Sequence, residues 1–186
     1  SYTIDKVVLA PRMVSGKACG FPEDFKLCVW NGSKWVEVAA KTGCISDGSN
    51  LEIIITPTLC NAIKIDVTKM GPSDNAGIPY TFQLSEFEAW GQKEAASLAK
   101  PPVADSGEDN KEEESQDGTN AALNGTVTMN VPTWAASFPG SKLVNGSTKG
   151  DNDFATTEYV ADAGIKESLM IAFKDGAHEI KTIKLY

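Results

Sequence analysis

The chain is poor in the residues that enzymes most often use for catalysis. Histidine and arginine occur once each in 186 residues, as His178 and Arg12. A Ser-His-Asp or Cys-His catalytic arrangement would have to use His178, because the sequence offers no second histidine. His178 comes just after Asp175-Gly176, where a surface turn residue is expected. No carboxylate pair has a spacing that marks an acid and a base, and no glycine-rich phosphate loop is present. We therefore expect that this chain is not an enzyme.

Long hydrophobic runs are also absent, and the acidic charge is unevenly spread. No apolar run approaches the roughly 20 residues that cross a bilayer. The net charge is -8, and residues 101–117 contribute seven acids and one lysine, which leaves only -2 for the rest. A nearly neutral domain with an acidic insert has no electrostatic attraction to nucleic acid or to an anionic membrane. We expect neither as a partner.

The cysteines form no C-x-x-C pair, and the absence of this motif argues against a zinc site. The four cysteines are Cys19, Cys28, Cys44 and Cys60. In an oxidising compartment they allow three disulfide pairings, and free thiols are the alternative.

Short β-rich runs bounded by turn residues are abundant. They are residues 2–9, 25–30, 35–38, 51–56, 62–67, 82–90, 126–129, 168–173 and 179–185. Phe25, Leu27 and Val29 alternate and so share one face of a strand, and Asn31-Gly32 then predicts a hairpin. A short helix is predicted only over residues 157–160. This pattern indicates an all-β sandwich or barrel.

Residues 93–122 have a different composition. Lys100-Pro101-Pro102 leads into a run of acids, serines and glycines with too few large apolar groups to offset the entropy of ordering. We predict a flexible acidic linker here, which divides the chain into residues 1–92 and 123–186.

Several motifs carry a family likeness. Residues 20–25 (GFPEDF) and 29–35 (VWNGSKW) resemble the middle of a coagulation factor V/VIII type C, or discoidin-like, domain, and residues 85–91 (SEFEAWG) resemble its closing strand. Residues 142–146 (KLVNG), 154–156 (FAT) and 180–186 (IKTIKLY) resemble its N-terminal half. The resemblance covers most of the chain. Within that family, the chain is similar to the family-32 carbohydrate-binding modules of bacterial glycosidases. It implies a discoidin-like jelly-roll β-sandwich, also described as galactose-binding-domain-like.

The two halves of that fold stand in swapped order. Residues 1–92 resemble the C-terminal half and residues 123–186 the N-terminal half, and residues 180–185 look like a second copy of the strand at 4–9. Half a jelly roll would expose a sheet face and unpaired edges. We therefore favour one circularly permuted sandwich closed within the chain. The alternative is a junction of two tandem repeats, whose halves associate by strand exchange or head to tail between chains.

The resemblance implies a structural calcium site in the loop after the family's first strand. That loop corresponds to residues 143–156, and the family also uses the closing dipeptide, here Ser85-Glu86. The implied ligands are Asn145, Ser147, Asn152 and Glu86, and Asp151 is an additional oxygen ligand nearby. Such oxygen donors suit a hard cation. Asn145 stands where the family usually has Asp, and a metal-free loop held by hydrogen bonds is the alternative.

The resemblance also implies a glycan site on loops at one end of the sandwich. There an aromatic ring stacks on a sugar face and a few polar groups bind its hydroxyls. Trp134 and Phe138, in a turn-rich stretch after an opening strand, are the aromatic candidates, and the alternative is that both cap the sandwich end. Trp35 and Trp90, on strands beside apolar neighbours, are assigned to packing, and Arg12 to a structural ion pair.

The expected function is a non-catalytic carbohydrate-binding module that tethers a secreted or cell-surface bacterial glycoside hydrolase to glycan. The alternative is a structural spacer or adhesion module of a multidomain surface protein, which binds protein or no small ligand. Trp134 exposed beside polar side chains would favour glycan binding, and Trp134 buried would favour the spacer.

Overall fold

The computed structural model describes residues 1–74, 79–101, 119–130, 136–147, 154–156, 164 and 166–174. These residues form thirteen β-strands and one short 3₁₀ helix, Gly140–Val144, and no helix among them has the length and apolarity to span a bilayer. The strands are β1 Tyr2–Ala10, β2 Arg12–Val14, β3 Lys17–Cys19, β4 Asp24–Trp30, β5 Trp35–Lys41, β6 Leu51–Cys60, β7 Ala62–Lys69, β8 Gln83–Leu84, β9 Glu86–Lys93, β10 Thr119–Asn120, β11 Thr126–Met129, β12 Ala155–Thr156 and β13 Glu167–Ala172. The predicted all-β class is confirmed.

Two antiparallel sheets contain most of the strands. The four-stranded sheet has the order β10-β9-β1-β6, and the five-stranded sheet has the order β11-β13-β7-β4-β5. Strands β12 and β8 form a small pair, as do β2 and β3. Each large sheet takes strands from both sides of residues 102–118, because β10 pairs with β9 and β13 pairs with β7.

Period-two alternation along the strands builds one hydrophobic core between the two sheets. In β4 the predicted inward set of Phe25, Leu27 and Val29 is at most 1% exposed. The largest fully buried side chains are Phe25, Phe87, Ile4, Leu9, Leu27, Ile63, Ile65, Met70, Leu84, Leu143, Leu169 and Ile171. The last residues of that set follow residue 122, so the two sequence stretches share a single core.

The predicted hairpin at Asn31-Gly32 joins β4 to β5. The Asn31 side-chain oxygen accepts hydrogen bonds from the backbone amides of Ser33 and Lys34 at 3.1 and 3.0 Å. Gly32 has a φ of 94°, a left-handed conformation that a residue with a Cβ rarely adopts. Trp30 and Trp35 are thereby set opposite each other in the ladder.

Other sequence predictions differ in detail or cannot be compared. The predicted strand 82–90 is divided at Ser85, whose hydroxyl donates to the Pro11 carbonyl at 3.1 Å. The β2–β3 hairpin was not predicted. The predicted strand 179–185 and the predicted helix 157–160 lie outside the described residues.

Residues at both ends of the predicted linker contact the sheets. Asn61 Nδ2 donates to the carbonyls of Leu98 and Ala99 at 3.0 and 3.1 Å, and Trp30 Nε1 donates to the Ala99 carbonyl at 2.8 Å. At the other end, the Ala121 amide donates to the Ala89 carbonyl at 2.7 Å. The division of the chain into 1–92, 93–122 and 123–186 stays a prediction.

Candidate functional site

Glu86 opens β9 at one end of the four-stranded sheet. It pairs with Ala10, the last residue of β1, and is only 1% exposed. A buried carboxylate is costly unless charge or hydrogen bonds compensate it. The backbone amide of Gly146 donates to Glu86 Oε1 at 3.3 Å. The carboxylate therefore faces the loop that follows the 3₁₀ helix.

That loop contains two more members of the predicted calcium set. The Ser147 amide donates to Asn145 Oδ1 at 2.9 Å, which closes a tight turn around Gly146. The amide of Asn124 donates to the Val144 carbonyl at 2.6 Å and so ties the start of the loop to the turn before β11. Leu143 and Val144 are buried, which anchors the loop in the core.

The structure thus brings together Glu86, Asn145 and Ser147 of the predicted calcium ligands. Their side chains offer carboxylate, amide and hydroxyl oxygens, which are ligands that a hard cation prefers. Asp151 and Asn152, the other two, lie outside the described residues. Across the described ranges, no three side chains drawn from His, Cys, Asp and Glu form a metal-binding group.

An aromatic stack lies close by in the chain, and it includes Phe138. The rings of Phe138 and Phe154 are stacked with centroids 4.5 Å apart and an interplanar angle of 22°. Lys142 Nζ lies 5.5 Å from the Phe138 ring centroid. Phe138 is half-buried, while Phe154 is buried. Trp134, the other predicted aromatic, lies outside the described residues.

Arg12 continues this stack and makes the ion pair that was predicted for it. Its Cζ lies 3.9 Å from the Phe154 ring centroid. Its Nη2 lies 3.2 Å from Asp74 Oδ2, and its Nη1 donates to Gln83 Oε1 at 2.9 Å. The Arg12 side chain is 14% exposed, so the guanidinium holds β2, β8 and the segment at Asp74 together.

The three described tryptophans lie on the outer faces of the sheets. Trp30, Trp35 and Trp90 are all half-buried, and none belongs to the hydrophobic core cluster. Trp35 packs edge to face on Trp30 with centroids 5.6 Å apart. Trp35 and Trp90 therefore pack against neighbours at the protein surface and not in the core. In β9, the residues that face the core are Phe87 and Ala89.

All four cysteines are free thiols. Burial raises the pKa of each thiol, and for Cys60 it raises the pKa to about 12. Nucleophilic reactivity belongs to the thiolate. The thiols of this fold are therefore poorly placed for chemistry at neutral pH.

Sequence reasoning missed two features of this region. Phe154, which stacks on Phe138, belongs to the FAT motif of the family resemblance, but its sequence position did not predict this aromatic contact. Asp74 and Gln83 carried none, because they reach Arg12 only across the fold, from 62 and 71 residues away. His178 lies outside the described residues.

Comparison of the chain with protein-family models, with curated proteins and with solved structures finds no match.

Proposed function

We propose that the chain is a non-catalytic carbohydrate-binding module of the discoidin-like kind, similar to the family-32 modules. In this proposal it holds a secreted or cell-surface bacterial glycoside hydrolase close to glycan. The glycan site lies on the loops that carry Trp134 and Phe138. A structural calcium ion is held by Glu86, Asn145, Ser147, Asp151 and Asn152.

The observation that carries the proposal is the contact between Glu86 and the 145–147 loop. Residues 60 positions apart meet there through the 3.3 Å hydrogen bond from Gly146 to Glu86. The family resemblance predicted this contact because it pairs the closing dipeptide with the loop after the first strand. When bound, calcium would supply positive charge that compensates a carboxylate with 1% exposure.

Strand order supports the circularly permuted jelly-roll sandwich as part of the proposal. Strand β13 pairs with β7 over Glu167–Ala172, and β10 pairs with β9 at Thr119 and Asn120. The first pairing joins residues 123–186 to residues 1–92, and the second joins the end of the predicted linker to residues 1–92. An exchange of the same strands between two chains would give the same pairings, and the oligomeric state distinguishes the two arrangements.

One observation favours the alternative function, a structural spacer or adhesion module. The Phe138 ring is stacked on the Phe154 ring with centroids 4.5 Å apart, so Phe154 covers one face of Phe138. A ring held in this way has less free surface to offer a sugar. If Phe138 caps the sandwich, Trp134 alone would have to stack on the ligand.

A glycan array with and without a calcium chelator tests the proposal, with Trp134→Ala beside the wild-type chain. We expect binding to a defined glycan, its loss in Trp134→Ala, and weaker binding after chelation. Trp35→Ala is the matched control, because Trp35 lies on the five-stranded sheet. Silence of the folded wild-type chain across the array would favour the spacer.

A further inference from the structure

The outer face of the four-stranded sheet carries a row of three side chains, Trp90, Lys6 and Ile54, that the proposed glycan site at Trp134 and Phe138 (the loop-end site) does not use. Pairing registers set Lys6 opposite Ile54 on one side and opposite Trp90 on the other. Trp90 and Ile54 are therefore two strand spacings apart, roughly 10 Å. The bulge between Ile4 and Lys6 puts Lys6 on this outer face, while Val7 and Leu9 face the core.

The indole of Trp90 is held in place by a charged neighbour. Trp90 Nε1 donates to Glu88 Oε2 at 2.5 Å, two residues earlier on the same face. Lys6 Nζ lies 5.3 Å from the Trp90 ring centroid. Because these contacts fix the side chain before any ligand arrives, binding to the indole would cost little additional side-chain entropy.

The second apolar position in the row is unusually open. Ile54 is 73% exposed, although large aliphatic side chains of a sheet are commonly covered. Glu52 lies next to Ile54 on the same face of β6 and is exposed, and Gln92 lies next to Trp90 on β9 and is also exposed. The row therefore alternates apolar surface with carboxylate, amide and ammonium groups.

This mixture fits a sugar better than a protein partner. The centre of a protein interface is contiguous and depleted in charged residues, whereas here Lys6 separates Trp90 from Ile54. A sugar ring presents C–H groups to an indole face and hydroxyls to the groups around it. Glu52, Glu88 and Lys6 carry a net negative charge, which disfavours uronic acid or sulfated polymers.

We infer that the outer face of the four-stranded sheet is a second carbohydrate-binding surface, which takes an extended neutral glycan chain along the row Trp90–Lys6–Ile54. Trp90 supplies the stacking platform and Ile54 a second apolar subsite. Lys6, Glu88 and Gln92 supply hydrogen bonds to hydroxyls. Trp90 is four residues from Glu86 along β9, roughly 13 Å, so this surface is separate from the proposed calcium site, and it does not require the proposed glycan site at Trp134 and Phe138.

Affinity electrophoresis of the full chain through gels containing soluble polysaccharides tests this surface. The probes are a neutral β-glucan, a neutral galactomannan and, as the anionic comparison, polygalacturonate. We expect at least one neutral polymer to retard the wild-type chain and polygalacturonate not to. Trp90→Ala should weaken retardation about tenfold, and Ile54→Ser should weaken it by a smaller factor.

Trp35→Ala is the matched control, since Lys64 Nζ lies 5.1 Å from the Trp35 ring centroid in the same kind of contact. It should leave retardation unchanged, and thermal melts should show that the variants are folded. Ile54→Ser keeps the test valid if Trp90→Ala unfolds, because Ile54 is largely exposed. Unchanged retardation in folded Trp90→Ala or Ile54→Ser would overturn the inference, as would retardation by polygalacturonate alone.

The failure of this inference is distinguishable from failure of the proposed function. Array binding that Trp134→Ala abolishes, without retardation by any neutral polymer, would overturn the sheet-face surface and support the loop-end site. Retardation that Trp90→Ala abolishes and Trp134→Ala leaves intact would support the sheet-face surface and count against the loop-end site.

Discussion

At the scale of single residues, burial decides what each ionisable group can do. Two glutamates stand two positions apart in β9, yet Glu86 is 1% exposed and faces a backbone amide, while Glu88 is half-buried and orients an indole. A buried carboxylate calls for a compensating charge, whereas a half-exposed one is solvated. The two residues therefore support different proposals despite identical chemistry.

Glu86→Gln tests the calcium proposal at this scale. The substitution keeps an oxygen for the Gly146 amide but removes the negative charge. In calcium-containing buffer we expect a chelator to lower the Tm of the wild-type chain, because a ligand that binds only the folded state stabilises it. Glu86→Gln should abolish this response, and Glu88→Gln, the matched control, should keep it. An unchanged wild-type Tm after chelation would contradict the calcium site.

Cys60 gives a pH-dependent prediction. Burial raises the pKa of its thiol from 9.0 to about 12, so the unfolded chain loses this proton first as pH rises. The resulting stabilisation is complete below about pH 9 and falls between pH 9 and 12, with a slope of at most about 1.4 kcal/mol per pH unit. Denaturant unfolding across this range should show a shallower loss of stability in Cys60→Ala than in the wild-type chain. Parallel curves would contradict the assignment.

At the scale of strands, alternation and turn chemistry explain most of what the sequence could predict. The strands β1, β4, β7, β11 and β13 were predicted nearly at their observed bounds, because their apolar residues recur with period two or form short β-branched runs. Strand β6 extends to Cys60, four residues beyond its predicted end. The same rule would have placed Trp90 correctly. Phe87 and Ala89 alternate toward the core, so Trp90 must face outward.

Short pairings were beyond prediction for a physical reason. Strand β12 has two residues and its partner β8 also has two, which is too short for any period to be recognised. Their pairing depends on tertiary contacts such as the stacking of Phe154 on Phe138. The candidate site was predictable only where the family resemblance linked Glu86 to the 145–147 loop, because loop geometry is not encoded by a repeating pattern.

Gly91→Ala tests the close approach of β1 and β9. A Cβ at Gly91 would overlap the backbone oxygen of Thr3 and the Cα of Ile4, and backbone atoms cannot move aside cheaply. We expect a loss of unfolding free energy of about 1–3 kcal/mol, which is typical of overpacking. Chemical denaturation measures it, with the exposed neighbour changed in Gln92→Ala as the matched control. Equal stability of Gly91→Ala and Gln92→Ala would contradict this register.

At the scale of the whole molecule, neither residues 1–92 nor residues 123–186 complete a sheet alone. Without β13 and β11 the edge of β7 would be unpaired, and Leu143, Leu169 and Ile171 would leave a gap in the core. Cutting the chain between the stretches should therefore not separate them. With a protease site inserted between Glu108 and Glu112, we expect the two fragments to co-elute in native buffer at the mass of one chain. They should separate in denaturant.

Two results of that cleavage experiment would contradict closure within one chain. Fragments that part in native buffer would show that the stretches do not share one core. A mass of two chains before and after cleavage would instead indicate exchange of β13 and β10 between copies.

The most direct test of glycan binding follows the indole N–H resonances of the four tryptophans during titration of the ¹⁵N-labelled chain with glycan. We predict that the Trp134 resonance moves with a small sugar identified on the array, and that the Trp90 resonance moves with a neutral polysaccharide fragment. Those of Trp30, bonded to the Ala99 carbonyl, and of Trp35 should stay in place. Four unmoved indole resonances at saturating sugar would contradict carbohydrate binding and leave the spacer as the function of this chain.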